Sequence, residues 1–215
     1  DVDIQAGVAV WNDKTGSYDL LTDSKLGSAY DDNKTFVGLD GPQTNSPNVS
    51  NTGFYIRKFI SEASGYTLRN YAENWWPWFR LGEIYLNATE AAFELNDETN
   101  ALHYINKLRE RAGFPANSLN KLTIEKIQNE RRVELAFEDH RYFDMKRWRI
   151  ADAVWNGNED NDQAIVYGLY PYRIAKAKPG TQDQDKYIFV KTRSERFKVA
   201  RTFQQSNYYS FIEDA

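Results

Sequence analysis

Cysteine is missing from the sequence, which excludes disulfides, a thiolate nucleophile and zinc sites with thiolate ligands within these residues. No run approaches the roughly 18 apolar residues of a membrane-spanning helix. The serine-nucleophile elbow, the P-loop and the dinucleotide glycine pattern are also absent. No charged-then-apolar signal segment opens the chain, and we expect any targeting segment to lie upstream of Asp1, since the chain begins without methionine.

The chain also has no excess of positive charge. The formal net charge is -4 and the pI is about 5.4, whereas nucleic-acid binding needs clustered, uncompensated lysine and arginine. Residues 129–149, NERRVELAFEDHRYFDMKRWR, crowd together six basic and five acidic side chains. Phosphate groups would meet nearly as much repulsion as attraction there. We therefore expect no nucleic-acid partner.

Aromatic residues are abundant, at 15% of the chain with six tryptophans and 14 tyrosines. Tyrosine and tryptophan combine a large apolar face with a polar edge, so an excess of them indicates surfaces that bind a ligand. A core rich in aromatic residues is the alternative for any single one.

The N-terminal residues predict a β-hairpin followed by a long loop. Strict alternation places one apolar set on a single face, as in a half-buried strand; the set is Val2, Ile4, Ala6, Val8 and Val10. Residues 13–16 are typical of a turn, and Ser17–Leu21 predicts the returning strand. Residues 22–52 are rich in Asp, Asn, Ser, Gly and Pro, which predicts a surface loop.

Apolar spacing then predicts two helices. The stripe of the first helix recurs at steps of three and four; it comprises Trp78, Leu81, Tyr85, Ala88, Ala92 and Leu95. Pro77 suits a first turn. Asn96 and Asp97 are favourable N-caps of a second helix that ends at Gly113.

A third helix is predicted to begin after Thr123, with Leu122 and Ile127 forming a hydrophobic staple. It continues through residues 129–149. Beyond Gly157, only residues 187–192 predict a strand.

The first two helices form an antiparallel hairpin with small residues where the backbones approach; these are Ala88, Ala91, Ala92 and Ala101. This is the logic of a tetratricopeptide-like unit, which stacks on neighbours to bury its apolar face. The expected organisation is one domain, with a β-hairpin and variable loop region at 1–70, a helical core at 71–156 and an irregular C-terminal segment at 157–215.

The carboxylates of the third helix are compatible with two kinds of site. Glu134, Glu138 and His140 could suggest a metal site, but on one helix His140 would point away from Glu138, which favours a structural histidine. A glycosidase needs two carboxylates about 5 to 10 Å apart across a cleft. Glu134 and Glu138 would instead lie on the same wall, and ion pairs with neighbouring arginines are the expected role.

Sugars present an apolar C–H face and a polar equator, so they stack on exposed Trp or Tyr beside Asp, Asn, Gln and Arg. Trp11, Tyr18, Tyr30 and Phe36 lie in or beside the polar N-terminal loops. This pattern predicts a sugar platform, and ordinary loop-anchoring aromatics are the alternative.

Three blocks of the sequence resemble the SusD/RagB family of surface glycan-binding lipoproteins of Bacteroidetes: WPWFRLGEIYLNATEAAFEL at 76–95, ALHYINKLRERAGFP at 101–115 and LTIEKIQNERRVELAFEDHRYFDMKRW at 122–148. Residues 52–59, TGFYIRKF, resemble the extended segment that precedes them in the family. Gly82 stands where the family usually has alanine, and Asp139 where it has glycine.

The resemblance is to the C-terminal portion of the family, so we expect this chain to be a fragment of a longer one. It implies a partial SusD-like fold: mainly α, built of tetratricopeptide-like helical hairpins with long loops and short peripheral β-hairpins. It implies that the motif helices are architecture in which Phe137, Phe143 and Trp148 pack. The residues carried over as structural are Arg80, Glu83, Glu90, Arg109, Arg111, Glu130, Arg131, Arg132, Glu134, Glu138, His140, Arg141, Asp144 and Trp148.

The family captures oligosaccharides without catalysis and acts with a SusC-like TonB-dependent transporter at the outer-membrane surface, held there by a lipid on an upstream cysteine. The resemblance thus implies a glycan ligand and no cofactor or metal. Glycan contacts come from variable loops, so we expect binding by Trp11, Tyr18, Tyr30, Asp31 and Asn33, and packing by the tryptophans at 75, 76 and 78. A tetratricopeptide-like protein-binding adaptor is the alternative, and a glycoside hydrolase a more distant one.

Overall fold

The computed structural model describes residues 4–22, 37–38, 50, 52–61, 74–194 and 196–209. The chain divides into two compact units, of which one comprises Asp1–Ile56 with Ala151–Ala215 and the other Arg57–Ile150. The first is here called the sheet unit and the second the helical unit.

The sheet unit is organised around a four-stranded sheet of order β2-β1-β3-β4. Its strands are β1 (Gly7–Asn12), β2 (Ser17–Leu21), β3 (Tyr167–Lys176) and β4 (Tyr187–Arg193). The pairs β1–β2 and β3–β4 are antiparallel, and β1 runs parallel to β3. The predicted N-terminal hairpin and the strand near 187–192 are confirmed.

The predicted half-burial of the first strand is wrong. Val8 and Ala9 point to opposite faces, yet both are fully buried. The strand lies between β2 and β3, which cover both of its edges, and its first four residues are buried on both faces while Trp11 and Asn12 are half-buried. It begins at Gly7, later than the alternation suggested.

Strand β3 was not predicted because Pro171 interrupts its apolar run. Proline removes a donor from a β ladder, which argues against a central strand. The ladder to β1 begins only at Tyr172, and the carbonyl of Pro171 still accepts a hydrogen bond from the Ala6 amide at 2.7 Å. The proline is therefore tolerated at the end of the parallel ladder.

The helical unit contains α1 (Leu81–Glu94), α2 (Glu98–Arg111), α3 (Ile124–Glu134) and α4 (His140–Arg147). Asp97 caps α2 by accepting from the Asn100 amide, and Thr123 caps α3 by accepting from the Lys126 amide. Gly113 has a φ of +94° just beyond α2, a left-handed conformation that glycine adopts freely. These predicted boundaries are confirmed. Two further helical elements of the described residues, α5 (Ala151–Val154) and a 3-10 turn (Gln205–Tyr208), belong to the sheet unit.

The first predicted helix begins three residues later than expected, and its buried face is different. Pro77 and Trp78 precede α1, and Leu81 and Leu95 are exposed. The buried face comprises Gly82, Glu83, Leu86, Thr89 and Ala92. The expected apolar stripe is therefore largely outside the interface.

Two hydrophobic clusters join the helices. Ala92, Ala101, Ile105, Leu122 and Ile127 form one that links α1, α2 and α3. Because Leu122 and Ile127 share it, the predicted staple is in place. A second cluster comprises Leu86, Leu108 and Leu135.

The long third helix of the sequence prediction is broken in two. Phe137 and Asp139 have φ values of 64° and 61°, and left-handed residues cannot continue a right-handed helix. One helix therefore ends at Glu134, and the next begins at His140. Phe137 and Phe143 are exposed rather than packed, so that expectation is wrong.

Candidate functional site

Trp11 and Tyr18 form an aromatic pair at one end of the sheet. They lie opposite each other across the β1–β2 ladder, and their ring centroids are 5.2 Å apart at an interplanar angle of 73°. This edge-to-face arrangement is one that aromatic pairs favour. Both side chains are partly exposed, so a ligand can reach them.

Polar and charged groups surround this pair. Trp11 Nε1 donates to Asp13 Oδ1 at 3.0 Å, which fixes the indole. The backbone amide of Lys178 donates to Tyr18 Oη at 3.2 Å. Lys178 Nζ lies 5.1 Å from the centre of the Trp11 ring. Trp11, Tyr18 and Lys178 are here called the platform.

The structure brings together two of the five residues expected to bind glycan, Trp11 and Tyr18. The other three, Tyr30, Asp31 and Asn33, lie outside the described residues. Lys178 was missed because it is 160 residues from Tyr18 in sequence. Lys178 follows strand β3, which the sequence did not predict. Without that strand, its proximity to Tyr18 could not be predicted either.

The tryptophans at the start of the first motif block do not pack as expected. Trp75 and Trp78 are 91% and 81% exposed. Trp76 is partly covered and lies 4.9 Å from the Phe59 ring, centre to centre. These side chains form a second exposed aromatic surface, in the helical unit.

In the helical unit, Arg80 bridges Glu134 and Glu138, the two carboxylates of the glycosidase alternative. Its Nε donates to Glu138 Oε2 at 2.6 Å, and its Nη1 pairs with Glu134. Lys58 also pairs with Glu138 and donates to the Ala136 carbonyl at 2.9 Å. Lys58 thus ties the first residues of the helical unit to the break between α3 and α4.

Burial of the Glu138 carboxyl disfavours its charge, but hydrogen bonds from Arg80 and Lys58 outweigh this and lower its pKa below the ordinary value of 4.5. A glycosidase acid needs the opposite shift. Glu134 pairs with Arg111 as well as Arg80. Both carboxylates are thus occupied by cations and are positioned to hold the helices together.

Glycine at position 82 makes room for this arrangement. A Cβ there would lie 2.5 Å from Arg80 Nη1 and 2.9 Å from Glu134 Oε1. The alanine usual in the resembling pattern would push the flexible guanidinium aside.

A second charged cluster centres on Arg131, which is 5% exposed. Its Nε donates to Asp144 Oδ2 at 2.7 Å and its Nη1 to Asn87 Oδ1 at 2.6 Å. Glu83 lies 4.0 Å from Arg131 Nη2 and 3.8 Å from His140 Nε2. The cluster connects α1, α3 and α4.

Glu90 receives hydrogen bonds from Arg147 and from the Trp148 indole, the latter at 2.8 Å. Burial acts to raise the pKa of Glu90, and these hydrogen bonds reverse that effect, leaving it below 4.5. Arg109 pairs with Glu130 at 2.6 Å, which links α2 to α3.

Of the two remaining motif arginines, Arg132 is exposed and Arg141 is half-buried. Among the described residues, no group of three or more His, Cys, Asp or Glu side chains is arranged to hold a metal ion. Across the same residues, no helix has the length and apolar character needed to cross a membrane.

The profile of the SusD family matches residues 6–211. SusD-like protein P25 of Formosa agariphila is 45% identical over 102 residues, covering 45% of this chain and 19% of that protein. SusD-like protein P2 of the same organism is 31% identical over 153 residues, covering 66% of this chain and 29% of that protein.

A SusD-like protein of Bacteroides ovatus is 26% identical over 172 residues, covering 68% of this chain and 29% of the relative. The chain therefore spans less than a third of the length of these curated relatives. The crystal structure of a SusD-like protein from Bacteroides fragilis matches 95% of the chain and 33% of its own length, with a TM-score of 0.53 at 24% identity. This likeness confirms the predicted fold class, mainly α with a smaller β part.

Proposed function

The chain belongs to the SusD family, and from that premise we propose that it captures an oligosaccharide or polysaccharide at the bacterial cell surface. Family membership supports the substrate class. The observation that carries the proposal for this chain is the platform, in which two aromatic rings lie beside hydrogen-bonding groups. A sugar ring would stack on the indole while its hydroxyls meet Asp13 and nearby polar groups.

The proposed capture is non-catalytic. In the helical unit, Glu134 and Glu138 are engaged by Arg80, Lys58 and Arg111, which supports a structural role for both. The proposal extends to delivery of the glycan to a SusC-like TonB-dependent transporter in the outer membrane. It also includes surface location through a lipid carried outside these residues.

The proposal is tested by titrating the protein with a broad panel of plant and host polysaccharides, by affinity electrophoresis and calorimetry. Trp11→Ala and Tyr18→Ala should each weaken binding of the recognised glycan about tenfold, since removal of a central aromatic contact commonly costs more than 1 kcal/mol. Tyr30→Ala tests the third predicted aromatic. Circular dichroism verifies that each variant keeps its fold.

Trp78→Ala is the matched control, because it removes an exposed tryptophan of the helical unit. If Trp78→Ala abolishes binding while Trp11→Ala has no effect, the platform is wrong and the site lies at the second aromatic surface. If no glycan binds, the capture proposal fails for this chain. Retention of a protein partner by the helical hairpin would then favour the adaptor function.

A further inference from the structure

The position of Lys178 bears on which glycans the platform accepts. Strand β3 ends at Lys176, and the chain then turns, with Thr181 donating to the Lys178 carbonyl through its amide at 3.1 Å and its hydroxyl at 2.9 Å. The Lys178 amide is itself bound to Tyr18. Both sides of the Lys178 backbone are therefore fixed, which places the root of its side chain next to Trp11, within reach of the ring for its ammonium group.

The two described carboxylates at this end of the sheet, Asp13 and Asp19, each have a hydrogen-bond partner other than Lys178. Asp19 accepts a hydrogen bond from Asn12 Nδ2 at 2.8 Å. Asp13 accepts from Trp11 and lies 3.6 Å from Lys176 Nζ. In the part of the chain that the structure describes, no carboxylate pairs with Lys178, whose charge faces only the ring.

Lys14 adds a second cation at the same end. It lies in the turn between β1 and β2, where its amide donates to Asn12 Oδ1 at 3.0 Å, and its side chain is exposed. Within the described residues it has no salt bridge either. This end of the sheet therefore has three lysines, Lys14, Lys176 and Lys178, against the two carboxylates Asp13 and Asp19, an excess of one ammonium group among the described residues, on a chain whose formal net charge is -4.

We propose that the platform selects glycans bearing carboxylate or sulfate groups, with Lys178 as the main specificity-determining residue and Lys14 as an auxiliary cation. This inference rests on the capture proposal and narrows its substrate class. A cation–π contact at an exposed site is weak, so the ammonium can turn towards a ligand anion while the sugar stacks on Trp11. An anionic sugar then gains a charge-assisted hydrogen bond. A neutral sugar must displace the ammonium group from the ring without gaining a charge-assisted hydrogen bond.

The test compares polygalacturonate with its carboxyl-reduced neutral form, and a sulfated galactan with its desulfated form. The intact protein should bind at least one anionic polymer about tenfold more tightly than its neutral counterpart. Binding should weaken as NaCl rises from about 50 mM to about 500 mM, since salt screens exposed charges.

Lys178→Gln should weaken anionic binding about fivefold or more and lower the ratio of anionic to neutral affinity by at least the same factor, since a neutral sugar no longer has to displace an ammonium group from Trp11. Lys186→Gln is the matched control, because Lys186 lies in the same β3–β4 connection but pairs with Asp183 at 3.0 Å. Trp11→Ala must also weaken anionic binding, which separates platform binding from general attraction to a polyanion.

Several outcomes overturn the inference. Neutral polymers that bind as tightly as the anionic ones, with dependence on Trp11, would leave capture standing and remove the anionic preference. Equal effects of Lys178→Gln and Lys186→Gln would remove the role of Lys178. Absence of binding to either class, in these pairs and in the wider panel, would remove both proposals together.

Discussion

Arg131 and Asp144 are a buried ion pair, each about 5% exposed. Taking both charges out of water is costly, and the pair is stable only because hydrogen bonds from one to the other, and from Arg131 to Asn87, replace the lost water. Removal of one partner should therefore destabilise the fold strongly, because the other charge stays buried without its partner.

Arg131→Met keeps much of the side-chain volume but leaves the carboxylate of Asp144 buried with only Arg147 nearby, at 3.2 Å. We expect the free energy of unfolding to fall by about 3 kcal/mol, measured by urea denaturation followed by far-UV circular dichroism. The control Arg132→Met, at the exposed neighbouring arginine, should change it by no more than about 0.5 kcal/mol. Similar losses in the two variants would contradict the buried-pair assignment.

Glu138 makes the helical unit sensitive to acid. Its pKa is lowered in the folded state, so its stabilising contribution is complete above the unfolded value near 4.5 and is lost as the pH falls through the folded pKa. Glu138→Gln should therefore reduce stability at pH 7 and flatten its decline below pH 4.5. Urea midpoints measured at a series of pH values test this. Glu94→Gln, at an exposed position, should leave the profile unchanged; a Glu138→Gln profile as steep as that of the parent chain would refute the assignment.

At the scale of elements, the break between α3 and α4 could not be predicted from the periodicity of the sequence. The apolar and charged spacing of residues 129–149 is compatible with one helix, and the left-handed backbone at Phe137 and Asp139 interrupts it. The interruption brings Glu138 to Arg80 and Lys58. The break is thus part of how the helices are joined.

Asp139→Gly should raise the free energy of unfolding by about 0.5 to 1 kcal/mol, because glycine adopts a φ of 61° without the steric cost of a Cβ. Asp139→Val should lower it by at least about 1 kcal/mol, since a β-branched residue is poorly tolerated there. Thermal and urea unfolding would give the order. A valine variant as stable as the glycine variant would show that the left-handed conformation is not retained in solution.

At the scale of the whole molecule, each compact unit has its own hydrophobic clusters. Val8, Val10 and Ala175 pack in the sheet unit, and the cluster around Ile105 packs in the helical unit. Local stability can differ between such units because each opens by losing its own buried contacts.

Ile105→Ala should destabilise the helical unit by about 2 to 5 kcal/mol through loss of a fully buried side chain. Hydrogen exchange followed by mass spectrometry should show faster exchange in α1, α2 and α3, with β1 and β3 less affected. The reciprocal variant, Val8→Ala, should accelerate exchange in the sheet unit first. Uniform acceleration across all described elements in both variants would show one cooperative unit.

The sequence by itself determined the features that depend on interactions between residues close together in the chain. The β1–β2 hairpin follows from alternation and a glycine turn, and the caps at Asp97, Thr123 and Gly113 follow from side chains that bond nearby backbone groups. The motif blocks also identified the family. Such signals act over a few residues, so they can be read without knowing the fold.

Only the tertiary structure decided which distant groups meet. In the tertiary structure, the Lys178 ammonium lies over the Trp11 ring and β3 pairs with β1. Glu138 forms an ion pair with Arg80, which is distant in sequence, rather than with an arginine of the same helix. It also left Trp75 exposed. These outcomes depend on closing long loops and on which surface each element covers, and neither property is encoded in the spacing of neighbouring residues.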